Sequence, residues 1–499
     1  MKNTLKFSEC DHVAVALEPL SAGDMISVNG EAASLKAKCD IPMGHKIALC
    51  SLRRGDIVYK YGHPIGTATE DIEAGDYVHV HNLLDLISDW EATAKVDFTE
   101  GMVPQLDDKF LINDPPKLYG YKRADGSVGF RNYVLVLSTC VCSNQPVKEL
   151  EFSDRDIVCI ENPSGCLILP NEVERMNSLL LGLAKNPNVG AVIFVSLGCE
   201  NINAQKLCDQ MQGIKPAACF ISQKDGSTEK TAVKLKEKAA EFKALLARQE
   251  RVEVSIADIR LGTKCGASDW TTAAASNPAI GYCSDMIVKN GGISLLGETC
   301  GWFGGEQTLT ENSRTRETAE AIIEQMRRTY RTCKFYGKSI EQGNPAPGNI
   351  AGGISTLKEK ALGNIMKGGT APIEGMLGVG EQPEIKGLFV CDNAGIDPAS
   401  LFALTASSAN ILLYSTGRGS PVGSPLAPAI KLTASPTAAE TYTEHMDVDL
   451  TDLVLEGVSI AEGGKRLFDE IISVANGKLC AAEQGRHREY AFPLMMGPM

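Results

Sequence analysis

Residues 191–199 read Ala-Val-Ile-Phe-Val-Ser-Leu-Gly-Cys. Five successive apolar positions leave no polar face, so a strand here is covered on both sides, and the Gly-Cys that follows turns the chain out at its carboxyl end. The same form recurs at 133–140 (YVLVLSTC), 291–298 (GGISLLGE), 387–391 (GLFVC) and 411–419 (ILLYSTGRG). Between these runs lie stretches of helical period: 174–185, 229–249, 317–331 and 465–476. Doubly covered strands alternating with amphipathic helices predict an α/β body with Rossmann-like, largely parallel sheets. Ligands in such folds sit beyond the carboxyl ends of the strands, where these Gly, Cys and Ser loops fall.

The first 95 residues have another character. Short alternating runs (HVAVAL at 12–17, DIVYKYG at 56–62, YVHVHN at 77–82) are separated by the turns SAGD, RRGD and EAGD. That spacing predicts a small β domain. Residues 96–118 are polar, carry little periodicity and close on Pro115-Pro116, which reads as a linker. The expected division is thus 1–95, a linker 96–118, a central α/β domain 119–345 and a C-terminal Rossmann-like α/β domain 346–499.

The formal net charge is −13 and no basic block occurs, which argues against nucleic acid. No run approaches the length of a membrane span. The opening MKNTLKFSECDHVAV lacks a signal-type apolar stretch, and sixteen Cys then read as reduced thiols, so the expectation is cytoplasmic. The sequence leaves a homo-oligomer open. An anionic substrate needs local cations to offset the global charge.

Five of the seven His lie in the first 81 residues. His79 and His81 form His-Val-His-Asn; on a strand both would share one face and could bind a metal or move protons, against the plainer reading of a polar sheet face. Three Gly–Cys pairs stand at expected strand ends: Gly165-Cys166, Gly198-Cys199 and Cys265-Gly266. Such thiols are either buried packing groups or ligands to iron, and no Cys-x-x-Cys spacing decides it. Two Gly-rich loops, 347–355 with Asn349, Gly352 and Gly353, and 415–420 with Thr416 and Arg418, read as anion cradles. Neither a Walker A loop nor a dinucleotide fingerprint is present.

Nine motifs in fixed order bring a family into view: GHKIAL (44–49), KYGHPIG (60–66), HVHN (79–82), ADGSVGFRN (124–132), LGCEN (197–201), CGASD (265–269), SNPAIG (276–281), NPAPGN…AGGI (344–354) and STGRGSP (415–421). The chain resembles the altronate/galactarate dehydratase family, in which a β-clip (SAF) domain precedes an α/β body. The resemblance implies a hydro-lyase that takes an altronate-like aldonate to a 2-keto-3-deoxy acid. Galactarate-type aldarates or sulfolactate are alternative substrates, and an inactive anion-binding scaffold is the non-enzyme alternative. It also implies a divalent metal, Fe2+ or Mn2+, with an iron–sulfur cluster as the second version. The expected metal ligands are His79, His81, Cys166, Cys199 and Cys265. Expected catalytic residues are His79, His81, Glu298 and Asp269, and expected substrate contacts are Arg131, Asn132, Ser268, Asn349, Gly352, Gly353, Thr416 and Arg418. The chain departs from the family pattern at Asn162–Cys166, at Ala267, at Gly297–Cys300 and at Ile350, where His-Thr-Tyr-Gly-Cys, Gly, Thr-Glu-Val and Lys are expected.

Overall fold

A computed structural model describes residues 3–31, 35–87, 90–151 and 154–493. The α/β expectation holds: a four-stranded and a seven-stranded sheet, both parallel throughout, form the body behind an N-terminal β domain. The four stretches of helical period fall in the helices Pro170–Lys185, Thr228–Leu246, Arg316–Phe335 and Ile460–Ala475. No helix among the described residues is long and apolar enough to cross a membrane.

The β domain pairs Thr4–Leu5, Val13–Ala16, Lys46–Ala48 and Tyr77–Val78 in one antiparallel sheet, and Ile57–Lys60, His63–Ala68 and Leu83–Leu84 in another. Its strands are short because turns recur every few residues. One of its buried clusters, around Val13, Val58, Ile65 and Val78, takes in Leu362 from the body, so the docked face is part of the core.

The four-stranded sheet orders Ile157–Ile160, Tyr133–Ser138, Val189–Ser196 and Ala217–Ile221. All eight residues of Val189–Ser196 are buried, as its unbroken apolar run requires. The seven-stranded sheet orders Ile373–Leu377, Gly387–Cys391, Ile293–Leu296, Arg260–Gly266, Ile411–Thr416, Ala429–Thr433 and Val448–Asp449.

Two expectations about organisation change. The boundary at 345/346 falls inside the seven-stranded sheet, because Arg260–Gly266 pairs directly with Ile411–Thr416. Local periodicity cannot reveal that pairing partners lie so far apart in the chain. Residues 96–118 are packed rather than loose. Phe110 is buried against Tyr282, the Asp97 backbone amide donates to Thr310 Oγ1, and Lys289 Nζ donates to the Leu106 carbonyl and Asp108.

Candidate active site

Chain order in the seven-stranded sheet reverses at Arg260–Gly266: the next strand, Ile293–Leu296, lies on one side and Ile411–Thr416 on the other. Such a switch point opens a crevice beyond the carboxyl ends of the two flanking strands. Here that crevice is bounded by the loops carrying Ser268-Asp269 and Gly417-Arg418. Asp269 is 6% exposed. Its Oδ1 accepts hydrogen bonds from the backbone N–H and hydroxyl of both Thr271 and Thr272, at 2.6–3.2 Å. Burial nevertheless outweighs these donors and raises its carboxyl to about 6. A Cβ on Gly417 would overlap this carboxylate, which is why the loop passes so close. Arg418 is exposed, and its guanidinium donates to the Gly348 carbonyl at 3.2 Å. Asp269 and Arg418 line the same cleft of about 280 Å³, with Met43, Trp270, Gly352 and Thr437.

Inward of Asp269 lies a cavity of about 10 Å³, the volume of one water, lined by Tyr61, Cys265, Asn277, Glu359, Lys360 and Asn364 among others. Tyr61 reaches it from the β domain. There Lys46 and Lys60 converge on Glu359 of the body helix Leu357–Ile365, at 3.0 and 2.7 Å, all three side chains at most 2% exposed. Burial alone would raise the Glu359 carboxyl, but the two ammonium groups overcome it and hold it at about 2. Burial and the neighbouring Lys60 draw Lys46 down to about 8, while Glu359 works the other way. Lys60, closer to the carboxylate and over the Tyr61 ring, keeps its charge.

The same docking face seats His79, whose Nδ1 lies 2.9 Å from Ser355 Oγ. Burial, and then the Lys46 charge, lower His79 to about 3, so it is neutral at pH 7. Gly353 makes this approach possible. Its φ is +91°, and an added Cβ would overlap the Gly44 carbonyl oxygen. Gly353→Ala is expected to cost more than about 1–2 kcal/mol through the left-handed backbone alone. Gly348→Ala, which would meet Arg418 only at ordinary contact distance (3.8 Å), should leave the thermal transition unchanged. Melting curves of the two variants check this.

A second buried Lys–Glu–Lys group stands at the carboxyl ends of Arg260–Gly266 and Ile293–Leu296. Lys264 and Lys367 both bind Glu298, and Lys264 also pairs with Asp397 at 3.1 Å. Burial would raise Glu298, but the two lysines outweigh it and hold it at about 2. Glu298 has φ +73° and ψ +61°, a conformation that costs a non-glycine residue roughly 1–3 kcal/mol and concentrates at functional sites. Cys265 Sγ lies 3.0 Å from Lys367 Nζ.

The other expected site residues distribute unevenly. Ser268, Asn349, Gly352 and Gly353 join Asp269 and Arg418: Asn349 Nδ2 donates to the Ser268 carbonyl at 2.8 Å, and the Trp270 amide donates to the Gly352 carbonyl at 2.9 Å. Thr416 is fully buried at the end of its strand, its hydroxyl without a hydrogen-bond partner among the described residues. Arg131 and Asn132 do not join the site. Arg131 grips Glu483 through Nε and Nη2 and spends its remaining donors on the carbonyls of Phe130, Val474 and Lys478. Asn132 is held by Arg123, Gln249 and the Leu246 carbonyl. His-Val-His-Asn is a turn following Tyr77–Val78, not a strand, so His79 points inward and His81 is exposed. Cys166 and Cys199 lie in the loops that follow Ile157–Ile160 and Val189–Ser196 of the four-stranded sheet, whereas Cys265 lies near the end of a strand of the seven-stranded one.

That donor set does not fit a metal ion held by protein side chains. Among the described residues no three His, Cys, Asp or Glu side chains are grouped so as to hold one. His45, beside His79, has its nitrogens on Tyr77 Oη and the Ala351 carbonyl, and Cys265 faces an ammonium group. The sequence reading missed Lys46, Lys60, Glu359, Lys264, Lys360 and Lys367. Lys264 did carry a signal, being a lysine directly before the Cys265-Gly266 pair expected at a strand end.

Comparison with known proteins places the three parts. Residues 2–85 match the altronate/galactarate dehydratase SAF domain, 120–246 the second domain of D-galactarate dehydratase/altronate hydrolase, and 256–496 the C-terminal domain of D-galactarate/altronate dehydratase. The chain belongs to the altronate/galactarate dehydratase family. It is 30% identical to the altronate dehydratase of Escherichia coli (strain K12) and 29% to that of Bacillus subtilis (strain 168), each over 98% of both chains. It is 31% identical to the (2R)-sulfolactate sulfo-lyase subunit beta of Chromohalobacter salexigens, over 74% of this chain and 95% of that one. Of the six cleft residues Met43, Asp269, Trp270, Gly352, Arg418 and Thr437, all but Thr437 fall in the nine ordered motifs or directly adjoin them.

Proposed function

We propose that this family member is a hydro-lyase that removes water from an altronate-like aldonate to give a 2-keto-3-deoxy acid. The observation that carries the reading is the pairing, across one switch-point cleft, of a buried carboxyl at about 6 with a guanidinium that no carboxylate pairs with among the described residues. Elimination from a 2,3-dihydroxy acid requires removal of the proton at C2. Asp269 is ionised at neutral pH, and an aspartate poised near 6 is a stronger base than an ordinary one. Arg418 takes the substrate carboxylate bidentately and meets the charge that spreads onto it as the C2–H bond breaks. The Lys46–Glu359–Lys60 group carries one net positive charge, which favours an anion nearby despite the chain's −13. The neutral imidazole of His79, 2.9 Å from Ser355 Oγ, borders the docking face of the β domain.

The direct test incubates the purified protein with D-altronate and with galactarate and measures 2-keto-3-deoxy acid. Formation from neither sugar acid removes the reading. Arg418→Lys keeps the charge but loses the planar fork, and is expected to raise KM about tenfold or more with kcat changed less. Steady-state kinetics on the preferred sugar acid check it, and an unchanged KM would take Arg418 out of the clamp.

A further inference from the structure

Five lysines surround the inner cavity and its two flanking ion groups. Four of them are paired with carboxylates: Lys46 and Lys60 share Glu359, and Lys264 and Lys367 share Glu298. Lys360 differs. It lines the cavity together with Asp269. Its Nζ donates to Asn344 Oδ1 at 2.6 Å and to Asn349 Oδ1 at 3.1 Å, both neutral amides, and no carboxylate pairs with it among the described residues. Asn349 then ties this ammonium to the loop of the carboxyl, since its Nδ2 donates to the Ser268 carbonyl. Lys360 has three N–H donors and the amides take two, which leaves one proton for a ligand. Its helix, Leu357–Ile365, is fixed at its start by the Thr356 N-cap and by Glu359, so the ammonium is held by rigid structure.

We infer that Lys360 is the general acid of the reaction, donating its proton to the hydroxyl that leaves C3. The inference rests on the dehydratase reading above and adds to it the group that the reaction most needs after a base, since hydroxide is a poor leaving group. The steps balance as follows. Asp269 takes the C2 proton and the C2–H electron pair forms the C2=C3 bond. The C3–O bond breaks with its pair on oxygen, and the Lys360 proton completes a water molecule. The enol gives up its O–H proton and gains one at C3 to become the 2-keto-3-deoxy acid. Asp269, now protonated, and neutral Lys360 return to their starting states by net transfer of one proton between them.

The test separates the two proton transfers. Wild-type protein, Lys360→Gln and Lys360→Met are incubated with D-altronate in deuterium oxide, and both deuterium at C2 of recovered substrate and 2-keto-3-deoxy acid are measured. The expected result is elimination slowed about a hundredfold or more in both variants, with C2 exchange continuing. Lys360→Ala should in addition regain part of its elimination rate with added methylammonium, which a purely structural lysine would not show. Loss of exchange together with elimination in variants that keep the wild-type melting curve would overturn the assignment, as would full elimination in either variant. Wild-type protein that converts neither altronate nor galactarate fails the parent reading instead, and the inference with it.

Discussion

Asp269→Asn is expected to lower kcat by about 10³- to 10⁴-fold with little change in KM, the loss typical of a removed general base. The pH dependence carries the sharper signature. An ordinary aspartate titrates near 4; burial lifts Asp269 to about 6 against the hydrogen bonds of Thr271 and Thr272. As the base, it must be ionised, so wild-type kcat/KM is expected to rise with pH through about 6 and then level. The residual rate of the Asn variant should lack that limb; a limb that persists assigns the titration to another group. Stability runs the other way. A carboxyl raised in the folded state contributes stability that is present in full below the unfolded value and is lost as pH rises through about 6. Asn retains an acceptor for the two threonines and has no charge to bury. At pH 7 the variant should therefore melt no lower than wild type while being nearly inactive, which separates loss of chemistry from loss of fold.

Glu359→Gln should give the largest loss of stability. It leaves two ammonium groups, each at most 1% exposed, with no counter-charge at the junction of the β domain and the body. Breaking a buried ion group by removing one partner typically costs about 3–5 kcal/mol, because desolvation remains and the attraction does not. The thermal transition is expected to fall steeply, or the protein to lose solubility. Adding Lys60→Met should recover part of the loss. It removes the lysine that keeps its charge and leaves Lys46, already drawn down to about 8 and donating to the Gly353 carbonyl at 2.8 Å, which can become neutral. A single Glu359→Gln variant that melts within about a degree of wild type would show that water reaches the group and that the ion pairs do not hold the docking face.

The α/β class of the body could be read from the sequence because a doubly covered strand is apolar along most of its length, and Val189–Ser196 carries the unbroken apolar run 191–195. Asp269 and Arg418 could be read as site candidates for a related reason: both stand within three residues of a strand's carboxyl end, and parallel sheets bring those ends together. Arg131 misled because a motif shows that a guanidinium is there but not whether its donors are already spent. Glu483, which consumes two of them, is 352 residues away. His79 and His81 misled in a different way. The strand stops at Val78, so the period of two that would put both on one face does not apply.

The sequence by itself thus determined the kinds of layer, the loops that end the strands, and the family. Those depend on contacts between near neighbours in the chain, whose spacing is written in the order of residues. Only the tertiary structure decided which charges meet. Lys46 and Glu359 are 313 residues apart, Lys60 and Glu359 are 299, and nothing local to a lysine says whether docking will bury it beside a carboxylate or leave it, like Lys360, against two amides. Burial sets the strength of those interactions, and burial is a property of the packed molecule.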